Sequence, residues 1–148
     1  MTDFYFVSVN SSEWATLANT IRTISWTAGE SLYQKMNTSA FTEWEGLTVG
    51  KIHGELVGFC TVVKQDSLQT KQYTPFIGYV FVFEDYRGQR LSQKLLTFSE
   101  NYLKKIGFGQ VYLVSDEKGL YEKFGYEKIG LEKTMHGNQE TIFQKKLK

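Results

Sequence analysis

The sequence predicts an α/β fold in which one mixed sheet is covered by helices on both faces. Two observations lead to this expectation. Along the 148 residues, short apolar and aromatic runs typical of strands alternate with stretches in which apolar residues recur every three or four positions. A strand–helix–strand unit implies a parallel strand pair, whereas strands joined by a tight turn lie antiparallel. The predicted order is β-α-α-β-β-β-α-β-α-β-β, and the length suits a single domain over residues 1–148.

The first half of the chain carries signals for a strand, two helices and a hairpin. Residues 10–12, Asn-Ser-Ser, offer an N-cap ahead of apolar positions that recur at helical spacing from Trp14 to Ile24. Gly54 lies between two strand-like runs, where a hairpin turn needs a residue that tolerates positive φ. The predicted elements are a strand at 3–9, helices at 13–24 and 29–36, a polar loop at 37–46, and strands at 47–53 and 56–64.

The second half of the chain carries one long helix between strands. Leu91, Leu95 and Leu96 begin a helical repeat that ends near Gly107, a residue suited to a helix C-cap. Pro75 stands at the mouth of a strand, where its missing N–H removes only a terminal ladder bond. The predicted elements are a polar connection at 65–74, a strand at 76–83, a helix at 91–105, a strand at 110–114, a short helix at 116–124, and strands at 126–133 and 140–146.

The composition argues against several classes of partner. Lys plus Arg number 17 and Asp plus Glu number 16, so the net charge of +1 lacks the basic excess typical of proteins that bind nucleic acids or membrane surfaces. Cys60 is the single cysteine, which excludes an internal disulfide and a cysteine-rich metal site, and we expect a buried thiol and no metal. The chain has neither an apolar run near the roughly 20 residues of a membrane span nor an opening signal segment, so we expect a cytoplasmic protein.

The segment EDYRGQRLSQKLL, residues 84–96, joins a strand to a helix through a short basic turn. A helix N-terminus offers N–H groups without helical partners and the positive end of the helix dipole, so such a turn can bind an anion. Gly88 permits positive φ and a close approach of the ligand, while Arg87 and Arg90 add positive charge. Ser92 adds a hydroxyl group in the first helical turn. The alternative is a plain helix start with solvent-exposed arginines.

Three stretches together resemble the GCN5-related N-acetyltransferase (GNAT) family, whose members move an acetyl group from acetyl-CoA to an amine. They are VFVFEDYRGQRLSQKLL, GFGQVYLVSD and GLYEKFGYEKIG, and the likeness in element order extends over residues 3–146. The resemblance implies the acyl-CoA N-acyltransferase fold, a mostly antiparallel sheet with one splayed parallel strand pair and helices on both faces. It also implies that acetyl-CoA is the co-substrate and that the anion is the pyrophosphate of coenzyme A.

The family's pyrophosphate-binding pattern is Gln or Arg, two residues of any kind, Gly, any residue, and then Gly or Ala. By resemblance, the cofactor contacts fall on Arg87, Gly88, Gln89, Arg90, Leu91 and Ser92. The sequence departs from the pattern at Arg90 and Ser92, and a side chain at position 90 either pairs with the phosphates or weakens their binding. The resemblance also implies that backbone groups of Val80 and Val82 pair with the pantetheine arm, while their side chains pack in the core.

Attack of an amine on a thioester needs a neutral amine, a stabilised oxyanion and an acid for the leaving thiolate. By resemblance, the N–H group of Val82 meets the carbonyl oxygen, and Tyr121 of the LYEKFGY motif is the general acid. A phenol keeps its proton at neutral pH and can still pass it to a thiolate. The alternative for Tyr121 is an aromatic ring that packs under the last strands.

The sequence leaves the general base open. Several family members carry a Glu on the fourth strand, but the corresponding position here is Phe76, which accepts no proton. Glu84, Asp85 and His53 are the other titratable candidates, each with simple solvation as its alternative. An ordered water, or an amine that arrives deprotonated, would serve equally well.

By resemblance, the acceptor pocket lies between the first helices and the last strands. Trp26, Tyr33 and Phe41 are the predicted acceptor contacts, with core packing as the alternative for each. Candidate attractors of a cation are the carboxylates Glu30, Glu43 and Glu45. The predicted acceptor is a primary amine, and both a small molecule and a peptide remain open.

The predicted function is therefore N-acetyl transfer from acetyl-CoA to a primary amine by direct attack in a ternary complex. The alternative is a catalytically silent acyl-CoA-binding module that senses the cofactor or regulates a partner. Arg90, Ser92 and Phe76 favour this alternative because they depart from the family pattern, whereas Tyr121 opposes it.

A homodimer is a further expectation, because family members often pair through their terminal strands or first helices. The final strand carries the run Thr141-Ile142-Phe143. These residues bury either in such an interface or only against their own core.

Overall fold

The computed structural model describes residues 1–38 and 40–148 and shows one seven-stranded sheet flanked by helices. Its elements are β1 (Thr2–Ser8), α1 (Trp14–Thr23), α2 (Gly29–Asn37), β2 (Gly46–Ile52), β3 (Glu55–Val63), β4 (Phe76–Val82), α3 (Leu91–Lys105), β5 (Gln110–Ser115), β6 (Glu127–Lys133) and β7 (Gln139–Lys146). The strands lie in the order β1-β2-β3-β4-β5-β7-β6. The β4–β5 pair is parallel and its neighbours along the sheet are antiparallel, which confirms the predicted mixed, mostly antiparallel fold.

Alternating residues of the central strands build one apolar layer on each face of the sheet. On one face, Phe59 of β3 packs in a buried cluster with Ile21 of α1 and Leu32 of α2. On the opposite face, its neighbour Cys60 packs with Leu95 of α3. Helices therefore cover both faces of the sheet, as predicted. Cys60 is fully buried in this layer, and its burial raises the pKa of the thiol to about 12. In the ranges that the structure describes, no helix is long and apolar enough to cross a membrane.

The hairpin between β2 and β3 follows the sequence prediction. It turns through His53 and Gly54, whose φ angles of 50° and 80° suit a type I′ turn. This turn has the twist that matches two antiparallel strands, so a local glycine signal is enough to predict it. The predicted polar loop at 37–46 includes residue 39, which lies outside the described residues.

The predicted helix at 116–124 is wrong. The segment is irregular apart from one 3₁₀ turn at Glu122–Phe124. Gly119, with a φ of 83°, reverses the backbone inside the predicted helix, and Gly125, with a φ of 91°, ends the 3₁₀ turn. A left-handed residue interrupts the i→i−4 ladder, so the spacing of apolar residues in this segment does not produce a regular helix.

Strands β4 and β5 meet at one end and then separate. Their parallel register pair is Phe76 with Tyr112, and the Tyr112 N–H group donates to the Pro75 carbonyl oxygen at 2.9 Å. From this point to Val82, β4 stays paired with β3 on its other side. The separation leaves a cleft at the carboxyl ends of the two strands, which is where ligands bind in open α/β sheets.

The connection from β3 to β4 crosses the sheet and reaches the hairpin between β6 and β7. The Gln69 N–H group donates to the Lys133 carbonyl oxygen at 2.9 Å, and Leu68 is fully buried. The buried cluster around Leu68 contains Phe76, Tyr112 and Ile142. This connection therefore covers an apolar patch of β4, β5 and β7 that α1 and α2 leave uncovered.

Strand β7 is paired on both sides, by β5 and by β6. Ile142 is 0% exposed and Phe143 is 2% exposed within the single chain. Ile142 and Phe143 are therefore buried against their own core, whereas Thr141 is half-buried.

Candidate active site

The segment after β4 forms the predicted strand–turn–helix unit. Gly88 has a φ of 86°, a backbone conformation that favours glycine. An added Cβ there would meet no atom within 4 Å, so the preference for glycine comes from the φ angle and not from a lack of space. Arg90 is the N-cap of α3 and is also left-handed, with φ 61° and ψ 26°. The first helical bond runs from the Lys94 N–H group to the Arg90 carbonyl oxygen at 3.1 Å. The earlier N–H groups of the first turn point out of the helix end, where an anion can bind.

A cavity of about 450 Å³ lies between the end of β4, the start of α3 and the segment before the 3₁₀ turn. It brings together most of the residues predicted for the site, namely Trp26, Val80, Val82, Arg87, Gly88, Arg90, Leu91, Ser92 and Tyr121. Four residues that the sequence reasoning missed also line it, namely Phe81, Tyr86, Glu117 and Leu120. Of the other predicted residues, Gln89 is exposed on the turn and is not among the lining residues.

The side chain of Arg87 folds back onto the end of β4. Its Nε donates to the Val82 carbonyl oxygen at 2.9 Å, and its guanidinium lies 5.6 Å from the centre of the Phe81 ring. The Phe83 N–H group donates to the Val57 carbonyl oxygen on β3. Because backbone groups alternate along an antiparallel strand, those of Val82 face the opposite side, toward the cleft. Arg87 thus ties the turn to β4 while its charge stays at the cavity wall.

A β-bulge in β4 aims Val80 at the cavity. Between the pairs Phe59–Phe81 and Thr61–Gly78, β4 has two residues where β3 has one. Tyr79 carries the bulge with a φ of 47°. Its hydroxyl group is hydrogen-bonded to the Ser31 hydroxyl on α2 at 2.8 Å. The bulge was not predicted, although Gly78 inside a strand is the usual sign of one.

The Tyr121 phenol belongs both to the core and to the cavity wall. The residue is 8% exposed, and its ring lies 6.2 Å from the Tyr126 ring and 5.9 Å from the Phe143 ring, between ring centres. Burial, with smaller contributions from the Glu117 and Cys60 charges, raises the pKa of Tyr121 to about 12. The phenol therefore holds its proton at neutral pH.

Of the three predicted acceptor contacts, Trp26 alone lines this cavity. The indole forms an aromatic wall, with its ring centre 4.7 Å from that of Phe81 and 6.1 Å from that of Tyr79. Tyr33 instead lies under the Arg22 guanidinium at 4.4 Å. Phe41 is 4% exposed and packs edge-on against Trp14 at 5.1 Å, within the core between the helices and the sheet.

The three predicted cation attractors do not line the cavity, and two of them serve other contacts. Glu30 pairs with Arg22 at 3.3 Å, and Glu43 is an exposed loop residue. Glu45 is buried and accepts hydrogen bonds from the backbone N–H groups of Lys64 at 2.7 Å and Thr42 at 2.9 Å. Glu45 thus fixes the loop before β2 against the end of β3.

Phe76, which stands where family members carry a glutamate, and the three predicted base candidates are not among the residues that line the cavity. Phe76 is 1% exposed and packs on Tyr112 at 5.8 Å between ring centres. Glu84 and Asp85 form an exposed 3₁₀ turn, and His53 lies in the β2–β3 hairpin. Glu117 is the carboxylate that does line the cavity.

This sheet, with its one splayed parallel pair beside a helix start that can bind an anion, is the acyl-CoA N-acyltransferase fold. The family model described as "Acetyltransferase (GNAT) family" matches residues 12–126. The match spans most of the chain, and the chain belongs to this family of acetyltransferases, as its motifs predicted. In sequence, no curated protein matches the chain.

Solved acetyltransferase structures share the fold over nearly the whole chain. An aminoglycoside 6'-N-acetyltransferase from Enterococcus faecium superposes with a TM-score of 0.71 at 15% identity, over 99% of this chain and 97% of that one. An aminoglycoside 6'-N-acetyltransferase complexed with coenzyme A gives 0.69 at 14% identity, over 99% and 97%. The ribosomal-protein-S18-alanine N-acetyltransferase from Escherichia coli gives 0.68 at 16% identity, over 99% and 94%. At these identities the likeness establishes the shared fold.

Proposed function

We propose that the protein is an acetyl-CoA-dependent N-acetyltransferase that acetylates a primary amine of a small molecule or peptide by direct attack in a ternary complex. One observation carries the proposal. A single cavity joins the N-terminal turn of α3, the cleft-facing backbone of β4 and the Tyr121 phenol. The turn would supply a phosphate cradle for acetyl-CoA, and the other two groups would supply the oxyanion donor and the acid that thioester aminolysis needs.

The residues of the turn suit the phosphates of acetyl-CoA. The first-turn N–H groups at Leu91 and Ser92 and the hydroxyl of Ser92 supply donors, and Arg87 and Arg90 supply positive charge. Donors at a helix start combined with arginine side chains favour a doubly charged group such as a pyrophosphate. Backbone groups of Val80 and Val82 would hold the amide-bearing arm along the open edge of β4.

The proposed reaction uses two groups of the chain. The lone pair of the amine forms a C–N bond to the thioester carbonyl carbon, and the Val82 N–H group donates to the resulting oxyanion. The C–S bond then breaks, the thiolate takes the proton of Tyr121, and the resulting phenolate regains a proton from water. The proton released by the attacking nitrogen passes to water or to a carboxylate, and Glu117 is the carboxylate at the cavity.

The surroundings of the cavity support an amine acceptor with an apolar part. Trp26 and Phe81 form an aromatic wall that can stack on such a ligand. Relatives in fold are named for aminoglycosides and for an alanine of ribosomal protein S18, so both types of amine belong in an acceptor panel.

Calorimetry followed by a turnover assay tests the proposal. Acetyl-CoA, CoA and dephospho-CoA are titrated at fixed salt into wild-type protein and Arg87→Glu. We expect micromolar binding of acetyl-CoA that Arg87→Glu removes. Thiol release is then measured with aminoglycosides, alanine-initiated peptides and arylalkylamines. Absence of acetyl-CoA binding up to millimolar concentration would contradict the proposal.

The second candidate function is an acyl-CoA-binding module without turnover. The left-handed Arg90 at the helix start and the apolar Phe76 on β4 favour it, because both depart from the family pattern. The two candidates differ in one readout. Binding of acetyl-CoA without thiol release across the amine panel would support the module and contradict the enzyme.

The expected homodimer stays a prediction. Sedimentation velocity over a range of protein concentrations measures it directly. A single monomeric species at every concentration would contradict it.

A further inference from the structure

The LYEKFGY motif ends in a tyrosine whose hydroxyl group has a specific partner. Tyr126 donates to Glu100 Oε2 at 2.7 Å. Glu100 lies on α3, is 7% exposed and faces the layer between α3 and the sheet. Tyr126 is 3% exposed, and burial, followed by the charge of Glu100, holds the pKa of its phenol well above the usual range. The phenol is therefore a permanent donor to this carboxylate.

The second oxygen of Glu100 is bound from β7. Lys145 Nζ lies 2.9 Å from Glu100 Oε1 and also donates to the Phe124 carbonyl oxygen at 2.7 Å. The same ammonium lies 5.5 Å from the centre of the Tyr126 ring. Both oxygens of the buried carboxylate are thus paired, and a buried polar network in which every group is paired makes its surroundings rigid.

The network holds the turn that carries Tyr121. The Tyr121 carbonyl oxygen accepts hydrogen bonds from the N–H groups of Phe124 at 3.0 Å and Tyr126 at 3.1 Å. Phe124 is the residue whose carbonyl Lys145 binds, and Tyr126 is the residue whose hydroxyl Glu100 binds. The backbone of Tyr121 is therefore anchored on two residues, and the network fixes both of them.

From this arrangement we infer that Glu100, Tyr126 and Lys145 form a positioning network that fixes the Tyr121 phenol at the cavity. The inference rests on the proposed function, in which Tyr121 is the acid. It also gives α3 a second task, since the helix begins at the proposed phosphate turn and carries Glu100 about two and a half turns later. One rigid element thus sets the spacing between the phosphate turn and the acid.

Hydroxyl deletions on a matched pair of tyrosines test the network. Tyr126→Phe removes the bond to Glu100 and keeps the ring. Tyr102→Phe is the control, because Tyr102 lies on α3 and donates to the Trp44 carbonyl oxygen at 2.6 Å, outside the network. Glu100→Gln and Lys145→Met break the same network from its other members. Unfolding midpoints, kcat and KM for acetyl-CoA are measured for each variant.

We expect Tyr126→Phe to lower kcat about tenfold with little change in KM for acetyl-CoA, because a small displacement of a reacting group slows the chemical step. Tyr102→Phe should lose a similar amount of stability and keep its kcat. In the Tyr121→Phe background, Tyr126→Phe should lower kcat no further, because the group that it positions is already gone.

The outcomes separate the inference from the proposed function. If Tyr121→Phe lowers kcat but Tyr126→Phe and Glu100→Gln do not, the positioning network is wrong and the acid role stands. Independent, multiplicative losses in the double variant would also overturn the network. If Tyr121→Phe leaves kcat unchanged, both the acid role and the network fail.

Discussion

The Tyr121 side chain combines a ring packed in the core with a position on the cavity wall. Its carbonyl binds the 3₁₀ turn, its ring contacts Tyr126 and Phe143, and burial keeps its phenol protonated. The two readings that the sequence allowed, an acid and a packed aromatic ring, are thus compatible. Core packing holds the phenol in place, and the cavity gives it access to a ligand.

Loss of the Tyr121 hydroxyl should affect turnover more than binding. We expect Tyr121→Phe to keep its affinity for acetyl-CoA and to lower kcat by about 100-fold, within the range for a general acid. Steady-state kinetics and calorimetry measure the two quantities. Unchanged turnover would remove Tyr121 from the proposed mechanism.

Buried acids of high pKa should make the fold sensitive to alkali. The pKa rises on folding from 10.0 to about 12 for Tyr121, and from 9.0 to about 12 for Cys60. The folded chain thus holds these protons more tightly than the unfolded chain, so their contribution to stability is complete below about pH 9 and is lost toward pH 12. Urea unfolding between pH 7 and pH 11 should show this decline. In Tyr121→Phe, the free energy of unfolding should decline less steeply with pH than in the wild type. An equal slope in the two proteins would contradict the raised pKa of Tyr121.

Among the elements, α3 begins with a residue whose conformation suits glycine. Arg90 has a φ of 61°, and a non-glycine residue in this region costs about 1–2 kcal/mol. The family pattern has glycine at this position. The physical reason is visible here, because the chain must turn through positive φ twice, at Gly88 and at Arg90, before the helix starts.

Arg90→Gly should therefore stabilise the protein. Relief of the left-handed strain exceeds the greater backbone freedom of glycine in the unfolded chain, for a net gain of roughly 0.5–1 kcal/mol. Arg90→Ala removes the same side chain and keeps the strain, so it is the matched control and should bring no gain. Urea unfolding of both variants measures the difference. Equal free energies of unfolding for Arg90→Gly and Arg90→Ala would contradict backbone strain at position 90.

Strand β3 supports the cleft through a residue without a side chain. Gly58 pairs with Val82, and a Cβ added to it would lie 2.9 Å from the Phe81 carbonyl oxygen and 3.1 Å from Leu95 Cδ1. The first of these atoms belongs to the backbone of β4 and the second to α3. The two elements that bound the cavity therefore approach each other closely over this glycine.

Gly58→Ala should destabilise the fold by about 1–3 kcal/mol, because overpacking forces backbone or side-chain shifts of that cost. Gly109→Ala is the matched control, since an added Cβ there would meet no atom within 4 Å. Thermal unfolding of both variants, with far-UV circular dichroism, measures the effect. A loss of stability that is equal in the two variants would contradict the close approach.

At the scale of the whole molecule, ligand binding should appear as added stability. A ligand that binds only the folded chain stabilises it by about 2.7 kcal/mol at a concentration of 100 times Kd. We expect acetyl-CoA to raise the unfolding midpoint of the wild type and not that of Arg87→Glu. Lys128→Glu reverses a charge on the exposed edge strand β6 and should respond like the wild type. Equal responses of all three proteins would contradict the assignment of the turn.

The sequence by itself determined the order of strands and helices, the strand–turn–helix unit at 84–96 and the family. These features depend on side-chain periodicity, glycine conformations and short motifs, all of which act over a few neighbouring residues. The predicted helix at 116–124 was wrong, and the reason is also local. Gly119 takes a left-handed conformation within the segment, which interrupts the helix. A glycine inside a helical pattern lowers helix propensity without fixing the backbone that replaces the helix.

Tertiary structure alone decided which candidates share a cavity. It placed Trp26 at the cleft, whereas Tyr33 lies against Arg22 and Phe41 packs against Trp14. The sequence predicted the same role for all three aromatic residues. It also set the β4 bulge and paired Tyr126 with Glu100, two residues 26 positions apart. Contacts of this kind depend on how separate elements pack, so they have no local signature and emerge only when the sheet and helices are assembled.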